Sequence, residues 1–144
     1  RGEQKFKRIL LPTAGGPHTE FAAELIEPIV KATGAHVTAC YVIPAAADHH
    51  QEREAKRWMN RTLRHVDLGD VEFRAVRSDS VAAGIINVAI DYDLIVLGAA
   101  KTGLFQQLLF GEIPDRVGRY ASSSVMLVKR HEGIAKRWLR RVLN

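Results

Sequence analysis

Four consecutive apolar residues, Leu94-Ile95-Val96-Leu97, stand between Asp93 and Gly98. A strand with no polar position has no face to offer to water, so it belongs in the middle of a parallel sheet that is covered on both sides. Ile9-Leu10-Leu11 is a second run of this kind, and it enters the turn sequence Pro12-Thr13-Ala14-Gly15-Gly16-Pro17. Around these two strands the periodicity keeps switching. Thr19 is read as the cap of a helix in which Phe21, Leu25 and Ile29 recur every fourth residue beside Ala22, Ile26 and Val30. Pro28 should bend that helix and Gly34 should end it. His36 to Ile43 reads as a second strand. Asp48 is placed to cap a strongly charged helix through Arg64, with Ala55, Trp58, Met59 and Leu63 as its buried stripe. Val71 to Val76 alternates strictly, as an edge strand with one wet face does. Ser80 then caps a helix with Val81, Ile85 and Ile86 inward, ending near Asp91. A loop from Gly98 to Gly111, a helix opened by Pro114 and running to about Tyr120, and a fifth strand from Ser124 to Val128 complete the pass.

Strand and helix in alternation demand right-handed crossovers, and hence an α/β fold: a five-stranded, parallel, doubly wound, Rossmann-like sheet of order 3-2-1-4-5. The 144 residues suit one hydrophobic core, so residues 1–144 are read as a single domain, with 131–144 a basic amphipathic tail helix. The apolar runs are far shorter than the roughly 20 residues that cross a bilayer. The single cysteine, Cys40, lies in an apolar stretch, which excludes an internal disulfide framework and points to a reducing, cytoplasmic setting. A chain opening on Arg1, without an initiator methionine or signal pattern, is read as a piece of a longer protein. The formal charge of +5 gathers in Arg53-Lys56-Arg57-Arg61-Arg64 and in the tail. Aromatic residues do not interleave these groups as stacking platforms would, so they read as solvated helix faces and nucleic acid is not expected as a partner.

In such a sheet the ligand crevice lies beyond the carboxyl ends of the strands where the winding reverses, here between strands one and four. The loops that follow are Thr13-Ala14-Gly15-Gly16 and Gly98-Ala99-Ala100-Lys101, both built of small residues that let a ligand approach backbone amides or simply make turns. A helix start after Gly111 suits an anion. Thr13 and Val42 are ligand-side candidates, since a hydroxyl and a strand-end apolar residue suit a ribose and an adenine. His18 lies beside the same crevice. Asp48, His49, His50 and Glu52 have metal-ligand chemistry, but neighbouring histidines on a helix point about 100° apart, so solvated residues at a helix start are the expected reading.

The chain resembles the universal stress protein family over nearly its full length. The resemblance rests on Arg8-Ile9-Leu10-Leu11-Pro12, on Asp91-Tyr92-Asp93-Leu94-Ile95-Val96-Leu97-Gly98, on Leu109-Phe110-Gly111-Glu112-Ile113-Pro114, and on Ser124-Val125-Met126-Leu127-Val128-Lys129. It implies a fold of the adenine nucleotide alpha hydrolase type, a regulatory and not an enzymatic role, and a homodimer made through the last strand, Ser124 to Val128. ATP-binding members carry glycine, two residues, a second glycine, nine residues, then glycine followed by serine or threonine. Gly98 and Gly111 match the outer glycines, while Lys101 replaces the second glycine and Glu112 the hydroxyl residue. Ala14 stands where such members usually have an aspartate. Carried over, the nucleotide-side positions are Pro12, Thr13, Ala14, Val42, Gly98, Lys101, Gly111, Glu112 and Ile113.

These departures have a physical size. A carboxylate about 4 Å from a phosphate charge costs about 1 kcal/mol in water and about 4 kcal/mol at an effective dielectric of 20. Glu112 therefore opposes a triphosphate unless Lys101 or a bridging magnesium ion compensates. The expectation is weak or absent binding of ATP or another adenine nucleotide with Mg. Pro12-Thr13-Ala14-Gly15-Gly16-Pro17, Phe110-Gly111-Glu112-Ile113-Pro114 and Trp138-Leu139-Arg140-Arg141 further resemble stress-protein domains at the cytoplasmic end of chloride channels, cation/proton antiporters and amino-acid permeases. That resemblance implies a transmembrane transporter domain in the same chain and a place at the cytoplasmic face of a membrane. In the tail, Ile134, Trp138 and Val142 lie four apart among Lys136, Arg137, Arg140 and Arg141, a pattern that suits an anionic bilayer surface or packing on its own domain or a dimer mate. A freestanding stress protein or a ligand-free dimerisation module is the alternative. An ATP pyrophosphatase is a remote one, because Ala14-Gly15-Gly16-Pro17-His18-Thr19 lacks both polar anchors of that enzyme's loop. No phosphate-loop pattern and no Gly-x-Ser-x-Gly elbow occurs in the sequence.

Overall fold

The computed structural model describes residues 6–13, 17–98 and 124–128. The first strand, β1 (Arg8–Pro12), is followed by α1 (Pro17–Thr33), β2 (His36–Ile43), α2 (His49–Thr62), β3 (Glu72–Arg77), α3 (Val81–Ala89), β4 (Leu94–Gly98) and β5 (Ser124–Val128). The five strands form one sheet in the order β3-β2-β1-β4-β5, and every pairing is parallel. Ile9 pairs with Val37 on one side and Leu94 on the other, so the two most apolar runs of the sequence lie together at the centre.

Side-chain alternation divides the core into two layers. Ile9, Leu11, Val37, Ala39, Leu94 and Val96 face α1 and α2. Leu10, Cys40, Ile95 and Leu97 face α3, which packs Ala82, Ile85, Ile86 and Ala89 against them. Cys40 is fully buried, and loss of solvent pushes its thiol up to about 12.

Four expected helix details differ. α1 begins at Pro17, so Thr19 lies inside the helix instead of capping it; proline is well suited to a first helical turn, whose N–H has no partner anyway. Of its two apolar stripes, Ala22, Ile26 and Val30 are buried, whereas in the other Phe21 and Ile29 pack partly against the core and Leu25 is 45% exposed. Pro28 sits on the exposed side and the helix runs through it to Thr33. Gly34 ends it at φ 71°, a conformation that disfavours a side chain, with its N–H donated to the Val30 carbonyl. In α2, Ala55, Met59 and Leu63 are buried as expected, whereas Trp58 is 46% exposed. Val81 is likewise 49% exposed: it occupies the first turn of α3, before the helix reaches the sheet. Asp48 and Ser80 cap α2 and α3 as expected, and Asp48 forms a reciprocal capping box with Gln51.

The amino ends of three strands are tied by one carboxylate. Asp93 Oδ2 accepts the N–H groups of Lys7 and Arg8, each at 2.8 Å, while the Asp93 backbone bonds Arg8 and Ser124. The Arg8 guanidinium also stacks 4.6 Å from the centre of the Tyr92 ring. These contacts hold the amino ends of β1, β4 and β5 together.

Candidate functional site

The winding reverses between β1 and β4, which are hydrogen-bonded neighbours. α1 packs on one face of the sheet and α3 on the other, and the carboxyl ends of strands so placed are where doubly wound folds hold ligands. Pro12 and Gly98 are the last residues of the two strands at that end.

Thr13 follows directly. Its N–H is donated to the Cys40 carbonyl at 2.7 Å, extending the β1–β2 ladder one residue past the strand. Its hydroxyl lies 3.4 Å from that of Thr19 in the first turns of α1, and both side chains are buried. The hydroxyl of Thr13 is therefore turned toward α1 and tethers the turn to the helix. Val42 is oriented the other way. It belongs to the α3 layer, and α3 approaches it so closely that a Cβ on Gly84 would lie 3.2 Å from both Val42 methyls and 3.1 Å from Ser78 Cβ. The two ligand-side candidates thus sit on opposite faces of the sheet, Thr13 just past the end of β1 and Val42 near the end of β2. Ala14, Lys101, Gly111, Glu112 and Ile113 lie outside the described residues, as do Ser122, Ser123 and the tail helix.

Sequence reasoning passed over several contacts that shape this end. Asp79 accepts the Ala45 N–H at 3.0 Å, and the Ser78 N–H reaches the Ile43 carbonyl at 2.8 Å, so the turns after β2 and β3 are locked together. Arg77 reaches from β3 to α2, where it binds Glu52 at 2.8 Å and the Ala47 carbonyl. The side-chain bond from Arg77, with help from Lys56, holds the Glu52 carboxyl below the usual carboxylate range, and the Gln51 N–H does the same for Asp48. Both carboxylates of the suspected metal cluster are therefore engaged in holding the helix start. Among the described residues no group of three His, Cys, Asp or Glu side chains is placed to hold a metal ion. Only the Ser78-Asp79-Ser80 polar cluster could have signalled the locked turn; nothing in the sequence pairs Arg77 with Glu52, 25 positions away.

A parallel five-stranded sheet of order β3-β2-β1-β4-β5 with helices on both faces defines a doubly wound, Rossmann-like α/β domain. The sequence profile of the universal stress protein family matches residues 5–129, and the chain belongs to that family. Among solved structures, a universal stress protein in complex with cAMP superposes with a TM-score of 0.63 at 19% identity, covering 89% of this chain and 100% of that one. The universal stress protein from Archaeoglobus fulgidus in complex with dAMP does so with a TM-score of 0.59 at 17% identity, covering 88% and 100%. These likenesses establish the fold. The Na(+)/H(+) antiporter NhaS5 of Synechocystis sp. (strain ATCC 27184 / PCC 6803 / Kazusa) is 26% identical over 126 residues, 86% of this chain. The chain spans 18% of that relative's length.

Proposed function

We propose that this is a regulatory domain of a membrane cation/proton antiporter, carried on the cytoplasmic side, with a crevice that binds adenine nucleotides weakly or not at all. The observation that carries the reading is the similarity to NhaS5, which runs through 86% of this chain. Among the described residues no helix is long and apolar enough to cross a membrane.

A catalytic role finds no support at the crevice. Where β1 and β4 end, the described residues are Pro12, Thr13 and Gly98, which supply backbone groups and one tethered hydroxyl but no acid–base pair. The cAMP and dAMP complexes of other stress proteins favour an adenine nucleotide as the class of ligand to test. Ala14, Lys101 and Glu112 depart from the ATP-binding pattern in charge and size, which argues for weak affinity. β5 forms one edge of the sheet, and pairing of Ser124 to Val128 with a second copy across a twofold axis would cover that edge.

Three inexpensive measurements test the reading. The gene upstream of Arg1 should encode several apolar segments of membrane-spanning length; a freestanding gene would refute the transporter assignment. Protein purified without added nucleotide and then denatured should release none that chromatography detects. Stoichiometric release would refute the weak-binding assignment. Light scattering at high protein concentration should give the mass of a dimer.

A further inference from the structure

α2 buries Ala55, Met59 and Leu63 against the sheet and turns the rest of its circumference outward. That outer face carries Arg53, Lys56, Arg57 and Arg61, and Arg64 follows just past the helix end; all five are exposed. Two are balanced locally, Arg57 by Glu54 at 2.6 Å and Lys56 by Glu52 at 3.7 Å. Arg53, Arg61 and Arg64 have no carboxylate within ion-pair distance among the described residues. Arg53 and Arg57, and again Arg57 and Arg61, are like charges four apart, an arrangement that weakens a helix. Arg53, Arg57, Asn60 and Arg64 line an open groove of about 700 Å³ along the β3 edge, with Phe73 at its inner wall. Trp58, 46% exposed, stands on the same helix three residues before Arg61.

We propose that this outer face of α2 is a docking surface for the anionic leaflet of a lipid bilayer. The charge is predominantly basic, five cations against Glu52 and Glu54, spread over about three turns, and among the described residues three of the cations have no carboxylate within ion-pair distance. Phosphate and carboxylate headgroups supply the missing charge. A nucleic acid is the less suitable partner, because base stacking needs a row of aromatic platforms. Phe73 is half-buried against the core, so only Trp58 stands free on this face, and a lone tryptophan beside arginines is the composition of a membrane-interface anchor. The apolar stripe of α2 is sealed in the core, so the helix does not insert. Attachment is electrostatic, and it weakens with salt and with loss of anionic lipid. The choice of a bilayer over another polyanion rests on the transporter-linked reading, but the surface itself does not.

Cosedimentation of this chain with phosphatidylcholine vesicles, with and without phosphatidylserine, tests the proposal. Binding should require phosphatidylserine and disappear at about 0.5 M salt, where screening extends over only a few ångströms. Each removed arginine should weaken partitioning about fivefold, so R53A/R61A/R64A should lose about 100-fold. The charge-retaining R53K/R61K/R64K should bind like the unmodified chain. A tail variant, K136A/R137A/R140A/R141A, should retain the dependence on the α2 arginines. Four results would overturn the proposal: no binding to phosphatidylserine vesicles, a loss confined to the tail variant, an equal loss in the lysine variant, or tight binding of single-stranded RNA without vesicle binding. Vesicle binding by the product of a freestanding gene would leave the docking surface standing and remove the transporter, so the two readings fail separately.

Discussion

β4 and β3 lie in the same all-parallel sheet, yet they are built on opposite plans. In β4, Leu94, Ile95, Val96 and Leu97 are each no more than 4% exposed, because α1 covers one face and α3 the other. No residue of β3 is fully buried: Glu72, Arg74 and Arg77 are open to solvent, and Phe73, Ala75 and Val76 are half-covered. The central strand spends every side chain on packing. The edge strand has polar positions to spare, and it uses Arg77 to hold α2 while Phe73 walls the basic groove. Buried packing therefore concentrates at the centre, and exposed polar and charged side chains collect at the β3–α2 flank.

Truncating the centre should have the largest effect. Ile95→Ala removes a fully buried side chain and should cost about 2–5 kcal/mol in a denaturant melt, whereas Phe73→Ala on β3 should cost less than half as much. Equal losses would break the contrast. Gly84→Val comes next. It forces methyl groups into Val42 at the crevice, so a loss of about 1–3 kcal/mol is expected, and adding Val42→Ala should restore part of it in a double-mutant cycle.

Asp48→Ala removes the capping box of α2 on the edge side and should lower Tm by a few degrees. Acid titration sharpens the same point. The Asp48 and Glu52 carboxyls are held below their ordinary range, so the stability they add is present above pH ~4–5 and is lost as pH falls through their lowered values. D48N/E52Q should flatten that acid limb in melts recorded across pH. The mildest effect concerns reactivity alone: burial raises the Cys40 thiol to about 12, so a thiol reagent at neutral pH should modify the denatured chain and leave the native one untouched over the same time.

Much of this architecture is legible in the sequence because the features that specify it are local. The unbroken apolar runs at 9–11 and 94–97 announce central strands, the alternation at 71–76 announces an edge, and Asp48 and Ser80 announce helix starts. The misreadings have a common origin. Leu25, Trp58 and Val81 carry apolar side chains at helical spacing, and periodicity cannot tell which of two adjacent stripes the sheet will cover. Thr19 looks like a cap, but Pro17 already provides a good first helical residue. Thr13 and Val42 fall at the carboxyl ends of β1 and β2, as the limits of the apolar runs predict. Their division between the α1 and α3 faces, and the contact of Gly84 with Val42, arise from tertiary packing, and no spacing encodes them.

The account turns on whether a crevice of the stress-protein kind, with Ala14, Lys101 and Glu112 at its nucleotide-side positions, has kept its ligand. Isothermal titration of ATP, ADP and AMP with magnesium into the purified chain is the direct test. The account predicts no saturation below millimolar nucleotide. A micromolar Kd that disappears in Lys101→Ala would contradict it and make the domain a nucleotide sensor in which lysine has taken over the role of the family glycine.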